Sequence, residues 1–473
     1  MSVRLLENAV TLYQSGDLSG AKIACQKILT SSKNLAPPVF ILACIARDEG
    51  HLDHAVTKFK QAIKIDSGQY HFYVNLGDTY DNLGRFSEAL AEFQESLKYV
   101  DTPENEAIIF HKIGNIHRSI SNIDAALTYF KKSITLAPNR AEPHTSVGMV
   151  YNDLGDLKLA ESAHRKAIEL NPTLPEAYNN LGLVLVNDRR TEEGIETYQR
   201  LIELAPKFTP AYKNLGNALL QLGKHNEALV ALSRYVELQG EDVSASHMIN
   251  ALTGQPADTA PVEYVEKLFD DFAGHFEEHL VEDLEYDIPA KMIASLKQHV
   301  ILAEGQSHTV LDLGCGTGLV GALLEGHCEA IDGVDLSQGM LDQAKEKGIY
   351  RQLFKCELVS FLQSSGGSES YNFILAADVL IYLGNLEPLF DALKYSKYFS
   401  KKTIFIFSLE YIDTGTYHLL SSGRFAHSEN YIEGLCQRHN FKVRAKEKTI
   451  IRKERGKDIN GIIFVIQFGR ERA

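Results

Sequence analysis

The sequence contains no tryptophan and few cysteines, and it has neither a long apolar run nor an excess of basic residues. The lack of tryptophan removes a spectroscopic probe and excludes nothing else. The cysteines are scattered without a CxxC pair, so neither a zinc site nor a disulfide framework is indicated, and a reducing compartment fits best. They are Cys25, Cys44, Cys315, Cys328, Cys356 and Cys436.

Charge and hydropathy exclude further classes of protein. A formal net charge of −14 argues against a reader of DNA or RNA, because nucleic-acid-binding faces are basic. No apolar stretch approaches the length needed to cross a bilayer, so we expect no membrane contact. The N-terminal residues MSVRLLENAV lack the apolar core of a signal peptide. We therefore expect a cytoplasmic protein without a bound metal.

Length and composition predict more than one domain. The 473 residues exceed the size of one ordinary compact unit. Apolar residues make up 44% and charged residues 23% of the chain, which is the profile of a globular protein with material for several cores.

The first half of the sequence repeats with a period of 34 residues. An alanine or glycine opens each unit, and the steps between units are 34, 34, 37, 34, 34 and 34 residues. These residues are Ala9, Ala43, Gly77, Gly114, Gly148, Gly182 and Gly216. A second small residue follows twelve positions later in each unit, often with a large apolar or aromatic residue four positions beyond it. The longer step falls in Tyr99–Ala107 and indicates a longer loop.

This pattern predicts two antiparallel helices per unit. The small residue of the first helix allows a close approach of the second, whose large residue fills the space beside it. Pro138, Pro172 and Pro206 close three units, because proline cannot continue a helix. The pattern resembles the tetratricopeptide repeat over about seven units, residues 2–240. The resemblance implies an α solenoid with a concave groove.

Such a groove is expected to bind a protein or peptide segment. Asn75, Asn180 and Asn214 each stand two positions before a small residue, where an asparagine would hydrogen-bond the backbone of an extended peptide. The alternative is that these asparagines only bridge neighbouring helices or stay solvated. The identity of the partner does not follow from the fold.

A change of composition separates the repeats from the rest of the chain. Residues 241–261 are rich in Ser, Gly, Pro, Ala and Thr, which is typical of a linker. We therefore predict a repeat solenoid at 1–240, a linker at 241–261 and a second domain at 262–473.

From Thr309 onward, short apolar runs alternate with helical patterns. Strands are predicted at 309–313, 328–335, 350–357, 371–377, 403–409, 441–451 and 461–468. The alternation predicts a mostly parallel, seven-stranded, doubly wound sheet with ligands at the carboxyl ends of its strands. The last two strands are expected to form an antiparallel hairpin at the edge of the sheet. Residues 410–427 are expected to form an irregular insert.

The stretch DLGCGTG, residues 312–318, follows the first of these strands. A dinucleotide-binding GxGxxG loop would need a glycine at 319, where Leu319 stands, and no phosphate-binding lysine follows. Asp335 ends the next strand, 335 − 314 = 21 residues past Gly314, where a carboxylate can accept both hydroxyls of a ribose. Glycines and a ribose carboxylate without a phosphate cradle predict a site for a nucleoside that carries no phosphate.

The segments VLDLGCGTG and GVDLSQGML resemble the class I S-adenosylmethionine-dependent methyltransferases over about residues 262–473. The resemblance implies a Rossmann-like α/β domain with S-adenosyl-L-methionine as its cofactor. The cofactor-binding residues that it implies are Asp312, Gly314, Cys315, Gly316, Gly318, Asp335, Leu336, Met340, Glu357 and Ala377.

The resemblance also implies a role for most of these residues. Asp312 and the glycines would contact the amino-acid end of the cofactor, and Asp335 would hold the ribose. Met340 would pack on the adenine, although it fits a helix core equally well. Glu357 would lie near the adenine amine, a position where the family more often has aspartate. Cys315 is the usual small residue of this loop and is not read as a nucleophile.

The catalytic candidates follow the fourth strand, in ILAADVLIYLG. Asp378 would lie next to the expected methyl group and position or deprotonate an acceptor amine or hydroxyl, or it only caps the following helix. Tyr382 is the second candidate. Some protein-lysine methyltransferases carry an Asp-x-x-Tyr pattern here, and Tyr382 lies one position too far for it. Candidates for substrate binding in the insert are Tyr417, Arg424 and His427.

Together these patterns predict methyl transfer to an N or O acceptor, with the repeats recruiting a protein substrate or partner. Two alternatives stay open: a small-molecule methyltransferase whose repeats serve assembly, and an interaction scaffold whose cofactor domain is inert. The intact glycine loop and Asp335 disfavour the scaffold.

Overall fold

The chain divides into two compact units, Met1–Leu222 and Gly223–Ala473. The structure is a computed structural model that describes residues 2–32, 34–278, 286–299, 308–364, 370–454 and 456–469. Within these ranges, no helix combines the length and the apolar character that a bilayer crossing requires.

The described residues of the first unit form consecutive helices joined by short turns. Several turns contain a glycine with positive φ, such as Gly84 at +69°, which lets the chain reverse without steric strain. The helices are α1 (Ser2–Gln14), α2 (Leu18–Ser31), α3 (Ala36–Asp48), α4 (Leu52–Ile65), α5 (Tyr70–Asn82), α6 (Phe86–Ser96), α7 (Pro103–Ser119), α8 (Ile123–Leu136), α9 (Ala141–Asp153), α10 (Leu157–Leu170), α11 (Pro175–Asn187), α12 (Thr191–Leu204) and α13 (Thr209–Gln221).

Small residues bring paired helices together as the spacing predicts. A Cβ atom on Gly77 would lie 2.6 Å from the ring of Phe93, and a Cβ atom on Gly182 would lie 2.6 Å from the ring of Tyr198. Since real Cβ atoms do not approach a ring so closely, a larger residue would force the helices apart. In α9 and α10 the same contact joins Gly148 to His164, a histidine in the place of the aromatic residue.

Hydrogen bonds also link corresponding positions of successive repeats. The hydroxyl of Tyr13 donates to Oδ2 of Asp48 at 2.6 Å, 35 residues away. Nζ of Lys112 donates to Oδ1 of Asp78 at 2.7 Å, 34 residues away. The period of the sequence is therefore also the period of the contacts that hold neighbouring helix pairs together.

The described part of the second unit combines helices with one mixed sheet. Its helices are α14 (His225–Gln239), α15 (Val243–Thr253), α16 (Val262–Phe272), α17 (Phe276–Glu278), α18 (Ile288–His299), α19 (Leu319–Leu324), α20 (Gln338–Glu346), α21 (Leu358–Gln363), α22 (Glu387–Tyr395) and α23 (Glu429–Arg438), with 3₁₀ turns at Ala273–His275 and Leu380–Tyr382. Its strands are β1 (Thr309–Leu313), β2 (Ala330–Asp335), β3 (Gln352–Lys355), β4 (Phe373–Ala376), β5 (Ile404–Ile412), β6 (Tyr417–Leu419), β7 (Phe425–Ser428), β8 (Phe441–Glu454) and β9 (Lys457–Phe468).

The strands lie in the order β3-β2-β1-β4-β5-β7-β6, with β9 paired to β5 and β8 paired to β9. Strands β1 to β5 pair in parallel, whereas β9 is antiparallel to both β5 and β8. Strand β9 pairs with one side of β5. On its other side, β5 pairs first with β4 and then, beyond the end of β4, with β7. The carboxyl ends of β1, β2 and β4 meet at one edge of the sheet.

The predicted number of seven strands is wrong, whereas the parallel pairing that was predicted is present in β1 to β5 and in β7. Among the described residues the sheet has nine strands and is mixed. The extra strands β6 and β7 lie where an irregular insert was predicted. They were not predicted because strands of three and four residues leave little periodic signal. The expected edge hairpin is confirmed in β8 and β9.

Both faces of the central strands β1, β4 and β5 are covered, which explains why these strands are mostly apolar. Leu311 and Ile374 pack on one face, with α21, α22 and α23, in a core that includes Phe407. Val310 and Phe373 pack on the other face with α18 and α19.

Strand β8 has one exposed side for most of its length. Lys442, Arg444, Lys446 and Lys448 are exposed and alternate with half-buried residues. Among the described strands, β8 pairs only with β9, so it forms the edge of the sheet.

Candidate functional site

The residues 314–318 that follow β1, called here the glycine turn, have left-handed backbone at their three glycines. The φ values are +68° at Gly314, +53° at Gly316 and +92° at Gly318. The amides of Gly314 and Cys315 donate to the carbonyl oxygen of Val334 at 2.8 and 3.1 Å, which fixes the turn to the end of β2. Glycine is needed here because other residues rarely adopt this backbone.

The glycines also set how closely other parts of the chain approach. A Cβ atom on Gly314 would overlap the side chain of Val379, the residue after Asp378. A Cβ atom on Gly316 would meet only the ring of Phe276, at 3.8 Å. The backbone at Gly316 is therefore open to a ligand, while Gly314 holds the segment after β4 against the turn.

The carboxylate of Asp335 is joined to the glycine turn. Its Oδ2 accepts the amide N–H of Gly316 at 2.8 Å, and its Oδ1 accepts that of Ser337 at 2.9 Å. Asp335 is 9% exposed, and burial raises the pKa of its carboxyl while these hydrogen bonds partly oppose the rise. Each oxygen keeps a second lone pair, so the carboxylate can still accept the hydroxyls of a ribose.

Asp312, the last residue but one of β1, is fully buried. Its Oδ2 accepts the hydroxyl of Tyr350 at 2.7 Å, whereas its Oδ1 has no hydrogen-bond partner among the described residues. Burial raises the pKa of Asp312 to about 7, and the hydrogen bond from Tyr350 acts in the opposite direction. A buried carboxylate oxygen without a partner is costly unless a ligand donates to it.

The remaining predicted cofactor residues lie around this turn with different accessibility. Met340 is fully buried in α20. Cys315 is also buried, and because burial raises the pKa of its thiol, Cys315 is not a nucleophile. Leu336 and Ala377 are half-buried. Glu357 caps α21 with both oxygens, which accept the amides of Val359 at 2.9 Å and Ser360 at 2.7 Å.

Asp378 follows β4 with left-handed backbone, φ +56°. Its amide donates to the hydroxyl of Ser408 at 2.8 Å. Its Oδ2 accepts Nη1 of Arg452 at 2.7 Å, and its Oδ1 is buried without a partner among the described residues. Tyr382 is buried nearby in the 3₁₀ turn, with its ring edge-on to Phe269 at 5.4 Å.

The three candidates from the insert are engaged with the protein itself. Tyr417 donates to Oδ1 of Asp258 at 2.5 Å. His427 is buried with Nε2 3.0 Å from the carbonyl oxygen of Gly384, and burial lowers its pKa to about 4, so the ring is neutral. Nε2 therefore carries the proton that it donates to that carbonyl.

Arg424, the third of these candidates, forms ion pairs inside the domain. Its Nε donates to Oε1 of Glu410 at 2.9 Å, and its Nη2 donates to Glu454. These bonds make Arg424 part of a network that also contains Asp378, because Arg452 bridges the same two glutamates.

Segments before β1 also reach the site. Oδ1 of Asp270 in α16 accepts the hydroxyl of Ser337 at 2.5 Å and the amide of Gly339 at 3.2 Å. The ring of Phe269 contacts those of Phe276 and Tyr382, so aromatic side chains extend from Gly316 to the 3₁₀ turn. This part of α16 therefore covers the start of α20, directly after Asp335.

Sequence reasoning missed Tyr350, Arg452 and Asp270. Each comes from a segment distant in sequence from the glycine turn or from Asp378, and no cofactor-binding motif marks it. The available signal was weak: an arginine within an otherwise apolar strand end, IIR at 450–452. The described residues contain no cluster of His, Cys, Asp or Glu suited to a metal ion.

The fold and this site define a methyltransferase domain that follows tetratricopeptide repeats. A family model described as a methyltransferase domain matches residues 311–395, from β1 to α22. Models of the tetratricopeptide repeat match residues 70–99, 107–140, 148–188, 175–208 and 197–230. The resemblance to both families predicted from the sequence is thus confirmed.

Two curated relatives match short stretches of the chain. Human methyltransferase-like protein 27 is 40% identical over 80 residues, which are 16% of this chain and 32% of that protein. Photosystem I assembly protein Ycf3 of Rippkaea orientalis is 36% identical over 55 residues, 12% of this chain and 32% of that protein. The chain thus matches about a third of the length of each relative.

Similar solved structures include PilF of Pseudomonas aeruginosa, 16% identical over 44% of this chain and 94% of that one, with a TM-score of 0.39. Yeast Tom70 is 18% identical over 54% of each chain, with a TM-score of 0.44.

Proposed function

We propose that residues 262–473 bind S-adenosylmethionine and transfer its methyl group to an N or O acceptor. The observation that carries this proposal is the hydrogen bond from the amide of Gly316 to Oδ2 of Asp335. It joins a backbone surface without side chains to a buried carboxylate at the end of the neighbouring strand. The helix that follows, Leu319–Leu324, has no lysine or arginine to hold a phosphate. The pair therefore fits a nucleoside without phosphates.

The unpartnered Oδ1 of Asp312 supports the same ligand. An ionised carboxylate only accepts hydrogen bonds, so the missing partner must be a donor. The amino group at the amino-acid end of S-adenosylmethionine is such a donor. The glycine turn would hold this end of the cofactor and Asp335 the ribose. When bound, S-adenosylmethionine supplies a methyl group activated by its sulfonium sulfur.

The adenine end is assigned on weaker contacts. Met340 and Glu357 follow the next two strands in the sequence and are proposed to lie on the adenine side. Because Met340 is fully buried and Glu357 already caps a helix, neither needs the cofactor to satisfy its local structure.

We propose that the repeats recruit a protein segment. The proposed repeat solenoid spans residues 1–240 and is followed by a linker at 241–261. The proposed location of the protein is cytoplasmic. The asparagines contribute less to this proposal than their spacing suggested. Asn75 accepts Nη1 of Arg47 at 2.7 Å and donates to the carbonyl of His71 at 2.8 Å, so it bridges two helices. Asn214 donates to Asn179 at 2.9 Å across successive repeats.

Calorimetry with S-adenosylmethionine tests the cofactor proposal. We expect binding by the full chain, and a ten- to hundredfold weaker affinity for Asp335→Asn, because hydrogen bonds to a charged group contribute about 1.5–3 kcal/mol each. Asp342→Asn removes an exposed carboxylate of α20 and should leave the affinity unchanged. No heat of binding with the folded wild-type chain would leave only the inert scaffold.

A further inference from the structure

Arg452 is a buried guanidinium at the carboxyl-end edge of the sheet. It is 2% exposed and donates hydrogen bonds to three carboxylates: Asp378 at 2.7 Å, Glu454 at 2.7 Å and Glu410. With the ion pairs of Arg424, these bonds form what we call the arginine–carboxylate network: Asp378, Glu410, Glu454, Arg424 and Arg452.

A β-bulge places Arg452 in this network. Exposed and half-buried residues alternate along β8 up to Ile450, and then Ile451 and Arg452 are both buried. The pairing with β9 shifts register between Ile450 and Arg452, so Ile451 is the extra residue. Bulges of this kind redirect side chains next to functional sites. Without the shift, Arg452 would continue the alternation and face solvent.

Gly461 on β9 makes the bulge possible. A Cβ atom there would overlap the side chain of Ile451 and lie 2.7 Å from the carbonyl oxygen of Leu409. The side chain of Ile451 fills the space above this glycine. The missing side chain at Gly461 therefore leaves room for Ile451, the residue before Arg452.

One oxygen of the network, Oδ1 of Asp378, is buried without a hydrogen-bond partner among the described residues. Arg424 and Arg452 both donate to Oε1 of Glu410, and both donate to Oε1 of Glu454. Asp378 offers Oδ2 to Arg452, and its buried Oδ1 has no partner in the described part of the chain. The next residue, Val379, packs on Gly314, so Asp378 belongs to the segment that contacts the glycine turn.

The charges of the network select the kind of group that can complete it. Its hydrogen bonds join three carboxylates to two guanidinium groups, which leaves a formal charge of −1 when all are ionised. The free oxygen of an ionised carboxylate can only accept a hydrogen bond. A cationic donor meets both conditions, whereas a carboxylate or phosphate would meet repulsion in a site shielded from water.

We propose that Arg452 is a positioning residue that holds Asp378 with Oδ1 directed at the methyl acceptor, and that this acceptor is a basic nitrogen carrying N–H. The proposal rests on the proposed methyl transfer and adds the class of acceptor and the residue that fixes its partner. A protonated amine must lose one proton before its lone pair can react. Its N–H bond breaks as Oδ1 of Asp378 takes the proton, which then passes to solvent.

The test uses two small probes on the full chain loaded with S-adenosylhomocysteine. We expect n-butylammonium to bind with a millimolar dissociation constant in saturation-transfer NMR, and butyrate to bind at least tenfold more weakly. Asp378→Asn keeps the shape and tolerates the left-handed backbone, and it should weaken n-butylammonium at least tenfold. Equal or tighter binding of butyrate, or unchanged n-butylammonium binding by Asp378→Asn, would overturn the proposal.

Variants of Arg452 separate positioning from a structural role. Arg452→Gln should weaken n-butylammonium at least tenfold and S-adenosylhomocysteine less than twofold. Arg452→Lys keeps the positive charge and is the variant to use if Arg452→Gln does not fold. It should bind n-butylammonium at least threefold more tightly than Arg452→Gln. Arg444→Gln is the matched control, since Arg444 lies on the same strand but is exposed. Parallel losses of cofactor and probe would make Arg452 merely structural.

The fate of a labelled methyl group gives a second readout. The full chain is incubated with cell extract and methyl-labelled S-adenosylmethionine, and labelled products are treated with alkali. N-methyl groups survive this treatment, whereas methyl esters release methanol, so an alkali-labile label would contradict a nitrogen acceptor. Failure of the proposed function is distinct from both results, because S-adenosylmethionine itself would then not bind to the wild-type chain.

Discussion

At the scale of single residues, the candidate site depends on two aspartates, each with one buried oxygen that has no partner among the described residues. Asp312 lies near the end of β1, and Asp378 follows the neighbouring parallel strand β4. Tyr350 donates to the second oxygen of Asp312, and Arg452 donates to the second oxygen of Asp378. The two partners differ in charge, so the two carboxylates are stabilised differently. Tyr350 offers Asp312 a neutral donor, which compensates little of the cost of burying an anion.

Cofactor binding should therefore depend on pH through Asp312. Its pKa is raised to about 7 by burial, and the ionised form accepts a hydrogen bond from the cationic amino group of the cofactor more strongly than the neutral form does. We expect affinity for S-adenosylmethionine to fall as the pH drops from about 8 to 6. Tyr350→Phe removes the donor that stabilises the anion, so the midpoint of this fall should move to higher pH. Calorimetry over this pH range measures both effects.

Tyr371→Phe is the matched control for that measurement. Tyr371 donates to Oδ2 of Asp332 at 2.7 Å, so the variant removes the same kind of hydroxyl from another buried aspartate of the sheet. The midpoint should stay at the wild-type value. A midpoint that is the same in Tyr350→Phe and wild type would show that Asp312 does not control binding.

At the scale of elements, local patterns predicted the regular parts of the fold and missed what depends on pairing between strands. The predicted strand 309–313 coincides with β1, and the predicted strand 461–468 lies within β9, because their residues alternate or run apolar without interruption. The bulge at Ile451 was not predictable, since it exists only in the register between two strands. The glycine turn and Asp335 were predictable because a motif carries them.

Gly461→Ala tests how much the hairpin depends on its bulge. The added Cβ would overlap Ile451 and approach the backbone of Leu409, which cannot give way as a flexible side chain does. We expect a loss of about 1–3 kcal/mol in unfolding free energy, as for other overpacked cores. Chemical denaturation measures it, with the exposed Asn460→Ala as control. A stability equal to that of the wild type would mean that β8 shifts register at no cost.

At the scale of the whole molecule, buried neutral histidines connect stability to pH. Burial lowers the pKa of His111, His164 and His427 to about 4. The unfolded chain binds protons at these groups near the ordinary histidine pKa of about 6.5, and the folded chain does not. Stability is therefore lost as the pH falls from about 6.5 towards 4, and each such histidine contributes a loss of about 2 kcal/mol between pH 7 and 5.

His164→Phe should remove its share of this acid sensitivity. Neither ring nitrogen of His164 has a partner among the described residues, and the ring packs on Gly148 where other repeats place an aromatic residue. We expect the variant to gain about 1–3 kcal/mol at pH 7 and to lose less stability at pH 5. Denaturant titration at both pH values measures this. The exposed His54→Phe should match the wild type, and a less stable His164→Phe would contradict the expectation.

The edge strand β8 has a consequence for the behaviour of the protein at high concentration. Its exposed side carries Lys442, Arg444, Lys446 and Lys448 in alternation. Glu429 and Glu433 pair with Lys446 and Lys448 and neutralise part of this charge. Two copies that approached edge to edge would still bring two basic rows together and repel each other, as lysines on sheet edges commonly do. The same residues that look like an unremarkable polar surface thus limit fibril-like growth of the sheet from one molecule into the next.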